Sequence, residues 1–185
     1  MHSPVLLTIA TGIRRGELLA LRWEDLESDK LRIRRSLEQV GRTVKFKHPK
    51  TKRSERTITL PSVAVAALAT HRAEQAQQRL LIGSGYEDHG LIFPQLDGRP
   101  WKPDSFSGFW RRLLKRTRLS HVRFHDLRHT HASQLLKSGV HVKVVSERLG
   151  HATIALTLDT YSHLLEGMEA SAADAIDADL GRVLK

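Results

Sequence analysis

The spacing of apolar residues changes twice along the chain, and each change predicts a new set of elements. Residues 17–23 have the apolar face of a helix. Three later stretches, 31–34, 43–47 and 57–60, instead alternate apolar with polar or basic side chains, which is the period of half-buried strands. We therefore expect a small antiparallel sheet of three strands, inserted at about residues 31–60 near the start of the chain.

Helical periodicity returns after this sheet. A long helix is expected from Ser62, which can cap it, to about Ile82. Gly139 and Gly150 are natural helix stops. Further helices are predicted at about 103–116, 125–138, 142–149 and 154–163. The expected fold class is α+β, mostly α with a small three-stranded antiparallel β-sheet.

Residues 164–185 carry an apolar stripe that repeats every four positions. The stripe consists of Leu164, Met168, Ala172, Ile176, Leu180 and Leu184. A helix of this length is marginal alone, so the stripe needs another surface to cover it. The tail either folds back onto its own domain or docks on a neighbouring protomer, and the pattern leaves both open. We expect one domain at 1–163 followed by a tail helix at 164–185.

Composition narrows the classes of function. Of the 185 residues, 40% are hydrophobic, which is enough for a core, and none is Cys. A disulfide scaffold, a Cys-ligated metal and a thiol nucleophile are therefore excluded. The apolar runs are too short to cross a bilayer, and the first seven residues lack a secretory signal. We expect a cytoplasmic protein that does not bind membranes.

The charge is unevenly distributed. The net charge is +10, but from Asp159 onward there are six acidic and two basic residues, a net −4, so residues 1–158 carry +14. A basic body with an acidic end favours a polyanionic partner, most simply nucleic acid.

The residues available for chemistry are basic and hydroxylic. His125 and His129 lie four apart near His131, but Asp126 stands where a helical metalloprotease site has Glu, so we expect no metal site. No G-x-S-x-G elbow and no Walker-type glycine loop occurs. A set of Arg, Lys, His and Tyr remains, which is the set that metal-free phosphodiester chemistry needs. Arginine forks stabilise the phosphorane oxygens, a tyrosine can attack, and Lys or His can protonate the leaving alkoxide.

Four motifs occur in a fixed order. They are T-G-I-R-R-G-E-L at 11–18, H-D-L-R-H-T at 125–130, L-G-H at 149–151 and T-Y-S-H at 160–163. Together they resemble the tyrosine recombinases of the phage integrase family, over about residues 6–165. The resemblance implies a catalytic domain that cuts and rejoins DNA through a 3′-phosphotyrosine intermediate, using neither metal nor ATP.

The resemblance also implies a role for each matching residue. Tyr161 matches the nucleophile, and Arg14 and Arg128 match the pair that stabilises the phosphorane. Tyr86, in a glycine-rich loop without basic neighbours, is the weaker tyrosine candidate even apart from the resemblance.

The remaining catalytic positions carry protons or hydrogen bonds. By resemblance, Lys50 protonates the leaving 5′ oxygen, His125 acts as acid and base toward the tyrosine, and His151 bonds a phosphate oxygen. Glu17 matches the acidic residue that supports the site without reacting. The resemblance leaves the other basic residues and histidines outside the catalytic set. Lys47, Lys52 and Arg53 are expected to contact the DNA backbone. Arg15 is expected to be solvated, and His129, His131 and His163 are expected to pack, cap or face solvent.

The resemblance implies partners as well. Family members act as homotetramers on double-stranded DNA and pass a C-terminal segment between subunits, so we expect the same here, with a monomer possible without DNA. Members also carry a helical DNA-binding domain before the catalytic one. Only about ten residues precede the first motif, so we expect that domain to be absent from this chain.

Two rival functions stay open on the sequence. A type IB topoisomerase shares the tyrosine chemistry and would relax supercoils as a monomer. A catalytically idle DNA-binding module would use the same basic body, but it gives no reason for the Arg, Lys, His and Tyr positions to coincide.

Overall fold

The computed structural model describes residues 2–41, 43–47, 55–120, 122–164, 173–174, 176–177 and 180–182. Its helices are α1 (His2–Thr11), α2 (Arg15–Ala20), α3 (Ser62–Ile82), α4 (Pro103–Thr117), α5 (Asp126–Lys137), α6 (Val142–Leu149) and α7 (Ile154–Tyr161). Its strands are β1 (Leu26–Glu27), β2 (Lys30–Ile33), β3 (Ser36–Val40), β4 (Thr43–Lys47) and β5 (Arg56–Thr59). None of the helices in these residues is long and apolar enough to cross a membrane.

The expected class, mostly helical with small antiparallel β-structure, is confirmed, but the strands pair differently from the prediction. β2 pairs directly with β5, Leu31 opposite Ile58, and the short β1 completes that three-stranded sheet. Residues 43–47 pair instead with β3 in a separate hairpin, Leu37 opposite Phe46. The sequence did not predict β3, because Leu37 is its one buried side chain and polar Glu38 and Gln39 follow.

The main core forms where α1 to α4 and the sheet meet. In α4, Phe106, Trp110 and Leu114 recur every four residues and are buried on one side of the helix. β2 and β5 contribute Leu31, Ile33 and Ile58 to the same core. Helix α1, which the sequence did not predict as a separate helix, packs against α3 and α5 and buries Leu7.

A second, smaller core joins α5, α6 and α7. It contains Ala132 and Leu136 from α5, Val145 and Leu149 from α6, and Tyr161 from α7. The predicted nucleophile is therefore part of a packed helical cluster.

Most of the predicted tail, 164–185, lies outside the described residues. Of its stripe, Leu164 ends a short 3-10 helix at Ser162–Leu164, and Ile176 and Leu180 are helical and exposed.

Candidate active site

Arg14 stands at the N-cap of α2, after a turn that brings α1 close to α5. Gly12 in that turn has φ +67°, and a Cβ there would lie 2.5 Å from the His131 ring and 2.7 Å from Leu149. Only glycine fits both the conformation and the space. Arg14 Nη2 donates to the Gly150 carbonyl oxygen at 3.0 Å, and its side chain stays 42% exposed. The guanidinium is thus anchored yet accessible.

Glu17, one turn into α2, is a buried carboxylate held by two arginines. It accepts hydrogen bonds from the backbone N–H and Nη1 of Arg14 and from both terminal nitrogens of Arg56. Burial alone would raise the pKa of Glu17, but the hydrogen bonds and charge of Arg56, and then those of Arg14, outweigh it and lower the pKa. Glu17 is therefore ionised at neutral pH, as the supporting role expected of it would require.

Arg128 lies in the first turn of α5 and is 4% exposed. Its Nη1 donates to the Gly12 carbonyl oxygen at 2.6 Å, while Nη2 is buried with no hydrogen-bond partner among the described residues. Burial, and next the charge of Arg14, lower the Arg128 pKa to about 10. The side chain still carries its charge at pH 7. Its Nη2 is therefore a buried donor from which an anionic oxygen can accept a hydrogen bond.

His151 follows Gly150, which ends α6 with φ +67°. Its Nδ1 lies 2.8 Å from the Thr157 hydroxyl oxygen of α7. Burial, and then the charges of Arg128 and Arg14, lower the pKa of His151 to about 4. His151 is therefore neutral at physiological pH.

Tyr161, the last residue of α7, is 4% exposed, and its hydroxyl oxygen lies 2.8 Å from Nδ1 of His129. Burial raises the pKa of Tyr161, and the charge of Arg128 opposes that rise. His129 also contacts the ring of His125, with 5.2 Å between centroids. The expectation that His129 serves only in packing or capping therefore misses its hydrogen bond to the predicted nucleophile.

His125 lies at the N-cap of α5 and is exposed. The protein around it still displaces part of its hydration, and this effect, followed by the charges of His129 and Arg128, lowers the pKa of His125. Of the other histidines, His131 is buried and donates from Nδ1 to the Ile9 carbonyl oxygen, as expected of a packing residue, and His163 is exposed. Among the described residues no group of three or more acidic or histidine side chains forms a metal site.

The basic residues of the predicted DNA contact are only partly described. Lys50, Lys52 and Arg53 lie outside the described residues, so their assignments stay predictions. Lys47 ends β4 and forms an ion pair with Glu38 across the hairpin, with Nζ and Oε2 2.5 Å apart.

A cavity of about 500 Å³ opens beside Arg14 and His125. Its lining includes three further arginines and no acidic residue. Arg15 donates to the Ser107 hydroxyl there, so it is held in place and is not simply solvated as expected. The lining consists of Arg14, Arg15, Gly16, Ser107, Trp110, Arg111, Arg123, Phe124 and His125.

Sequence reasoning missed two residues of this cluster. Arg56 stands just before the alternating residues of β5 and belongs to none of the four motifs. Only its hydrogen bonds to the distant Glu17 show that it belongs to the site. His129 could have been found, because it lies four residues after His125 and thus on the same face of α5.

The fold, with its Arg, His and Tyr cluster, is that of tyrosine recombinase catalytic domains. The Tn1549 transposon integrase, solved with transposon right-end DNA, superposes with a TM-score of 0.78 at 22% identity, covering 94% of this chain and 57% of that one. The XerH site-specific recombinase, in its complex with difH substrate before cleavage, gives 0.64 at 22% identity, over 92% and 45%. The family model described as "Phage integrase family" matches residues 2–168, and the chain belongs to that family.

Relatives among curated proteins agree. The chain is similar to a XerC-like tyrosine recombinase of Caldanaerobacter subterraneus, at 34% identity over 93% of this chain and 48% of the relative. It is also similar to the ICEBs1 integrase of Bacillus subtilis, at 32% identity over 90% of this chain and 46% of the relative. The chain thus spans about half the length of these relatives.

Proposed function

We propose that this chain is the catalytic domain of a site-specific DNA recombinase or integrase, which cuts and rejoins DNA through a 3′-phosphotyrosine without metal or ATP. The observation that carries the proposal is the convergence on one site of Arg14, Arg128, His151 and Tyr161, which come from four separate parts of the chain. Arg128 Nη2 is a buried charged donor that lacks a partner among the described residues. A scissile phosphate oxygen supplies such a partner.

The reaction is a pair of balanced phosphoryl transfers. The Tyr161 oxygen forms a bond to phosphorus as the bond to the 5′ oxygen breaks, which leaves a 3′-phosphotyrosine and a 5′-hydroxyl. The phenolic proton passes to an imidazole, and Lys50 protonates the leaving oxygen. Attack by a 5′-hydroxyl from a partner strand reverses both steps and reseals the DNA.

In this proposal two imidazoles, those of His129 and His125, act on the proton of the Tyr161 hydroxyl. His129 holds the Tyr161 hydroxyl at 2.8 Å, and His125 lies against the His129 ring. The lowered pKa of His125 keeps it neutral at pH 7 and hence able to accept a proton. His151, also neutral, donates a hydrogen bond to a phosphate oxygen.

The partner we propose is double-stranded DNA. The +14 of residues 1–158 and the acid-free, arginine-lined cavity beside Arg14 both suit a polyanion. Lys47, Lys52 and Arg53 remain proposed backbone contacts. On DNA we propose a homotetramer with a tail passed from one protomer to the next, since a head-to-tail contact of this kind closes into a ring. We propose that the reaction takes place in the cytoplasm, because relatives of this chain are bacterial recombinases and integrases.

The recombinase reading is favoured over its rivals. The relatives of this chain are named recombinases, integrases and transposases. An idle binder does not explain why a buried Arg128 donor that lacks a partner in the described part of the chain lies near a tyrosine that is hydrogen-bonded to His129.

Replacing Tyr161 with Phe tests the proposal, because it keeps the ring and its packing but removes the attacking oxygen. On a nicked suicide duplex the parent chain should form a covalent protein–DNA adduct, and Tyr161→Phe should bind the DNA but form none. Tyr86→Phe is the matched control, since Tyr86 is the other of the two tyrosines in the chain. This variant should react like the parent.

Adduct formation by Tyr161→Phe would rule out Tyr161 as the nucleophile. Failure of the parent chain to form any adduct, with DNA binding intact, would favour the idle module. Relaxation of a supercoiled plasmid without strand exchange would favour the topoisomerase.

A further inference from the structure

Arg56, the first residue of β5, lies where the site-bearing elements meet. Its guanidinium is 8% exposed and spans from the Glu17 carboxylate on α2 to the last turn of α6. Within the proposed recombinase function, we infer that Arg56 is a positioning residue: it holds Glu17, leaves the charge of Arg14 free for the phosphate, and fixes the turn that carries His151.

Two arginines share the Glu17 carboxylate, and each of its oxygens accepts one hydrogen bond from each residue. Oε1 accepts from Arg14 Nη1 at 3.1 Å and from Arg56 Nη1 at 3.0 Å. Oε2 accepts from the Arg14 backbone N–H at 2.8 Å and from Arg56 Nη2 at 2.8 Å. Arg56 thus makes the two-pronged contact with the carboxylate, whereas the Arg14 side chain gives one bond to it.

This sharing sets the charge that a phosphate meets. One carboxylate and two guanidinium groups carry a net positive charge. The bidentate contact of Arg56 compensates the larger part of the negative charge of Glu17. Without Arg56, Arg14 would be the sole side-chain cation bonded to a buried anion, and their mutual attraction would hold it back from the substrate. Arg56 therefore acts on the phosphate through Arg14.

The second contact of Arg56 orients the opposite wall of the site. Its Nε donates to the Arg148 carbonyl oxygen at 2.9 Å. A Cβ on Gly150 would lie 2.8 Å from Arg56 Nη1, so the guanidinium packs directly against that glycine. Arg14 also donates to the Gly150 carbonyl oxygen. The two arginines together hold residues 148–150, immediately before His151.

The test compares Arg56 with an arginine whose buried carboxylate partner bonds none of the proposed site residues. Arg34 is that control, since it bonds Asp25, which is 2% exposed, through Nε and Nη2. The variants are Arg56→Gln, Arg56→Lys and Arg34→Gln. The readouts are the single-turnover rate of adduct formation on a nicked duplex, the affinity for that duplex, and the melting temperature.

Arg56→Gln should form adduct ~10²-fold more slowly, the usual cost of misplacing a catalytic group by about 1 Å, with DNA affinity within about twofold. Arg56→Lys keeps the charge, and so should fold, but loses the fork; it should recover part of the rate. Adding Glu17→Gln to Arg56→Gln should also recover part, because Arg14 is released. Arg34→Gln should lower the melting temperature without slowing adduct formation.

Three results would overturn the inference. The first is a parent-like rate for Arg56→Lys combined with an Arg56→Gln chain that either reacts like the parent or does not fold. The second is a rate loss in Arg34→Gln equal to that in Arg56→Gln. The third is a strictly additive loss of rate when Glu17→Gln is added to Arg56→Gln. If the parent chain itself forms no adduct, the proposed function fails, which is distinguishable from an active parent whose rate does not depend on Arg56.

Discussion

Arg128 shows how little freedom a single side chain has in this site. One terminal nitrogen holds the Gly12 carbonyl oxygen and the other is buried without a partner in the described part of the chain. An ammonium group has no planar fork and cannot serve both places. The residue thus couples the turn before Arg14 to the position proposed for the scissile phosphate.

Arg128→Lys should therefore slow cleavage by ~10²–10³, the typical loss for one transition-state donor, while DNA affinity changes little. Single-turnover adduct formation measures the rate. Arg116→Lys, an exposed position on α4, is the control and should react normally. Near-normal cleavage by Arg128→Lys would contradict the phosphate role.

At this scale the sequence predicts motif residues well and their neighbours poorly. Arg14, Arg128, His151 and Tyr161 are brought together as their motifs imply. His129 and Arg56 were missed because their roles depend on partners 32 and 39 residues away, Tyr161 and Glu17. Local spacing places His129 on the same face of α5 as His125, but it does not reveal the distant partner of His129 or of Arg56.

Among the elements, periodicity identified β2, β4 and β5 but not their pairing. Leu31, Ile33 and Ile58 are buried as alternation predicts, yet the neighbour of β2 is β5 and not the strand that follows next. Strand β3 escaped prediction since the hairpin it forms with β4 buries little apolar surface. Pairing is decided by which apolar faces match across the core, which a single strand does not reveal.

The tail element gives a prediction of its own. Ile176 and Leu180 are 59% and 52% exposed, so Asp at either position should change the free energy of unfolding of the DNA-free chain by no more than about 0.5 kcal/mol. If the stripe docks on a neighbouring protomer, either change should weaken assembly on DNA by about tenfold or more. Thermal melting and sedimentation with DNA measure the two effects.

Leu81→Asp supplies the control for the tail, because Leu81 is an exposed apolar residue on α3. It should leave assembly unchanged. A fall of many degrees in the melting temperature of Ile176→Asp without DNA would mean that the tail packs on its own domain.

For the whole molecule, the uneven charge should govern binding to the proposed DNA partner. Each phosphate neutralised should contribute a slope of about −0.9 to the dependence of log affinity on log salt. Affinity should therefore fall steeply between low and physiological salt. Arg111→Gln, in the basic cavity, should reduce the slope by about one. Arg79→Gln, an arginine on α3 paired with Asp88, is the control. An affinity independent of salt would remove the electrostatic basis of the DNA proposal.

The hydrogen bonds of the site join residues far apart in the sequence. Arg14 reaches Gly150 and Arg128 reaches Gly12, separations of 136 and 116 residues. During synthesis on the ribosome, a growing chain that has not yet exposed residue 150 has no carbonyl to anchor Arg14, and the tyrosine emerges later still. Under the proposed function, the capacity to break DNA therefore arises only after residues 150 and 161 have emerged, so chains terminated before them would be unable to nick DNA.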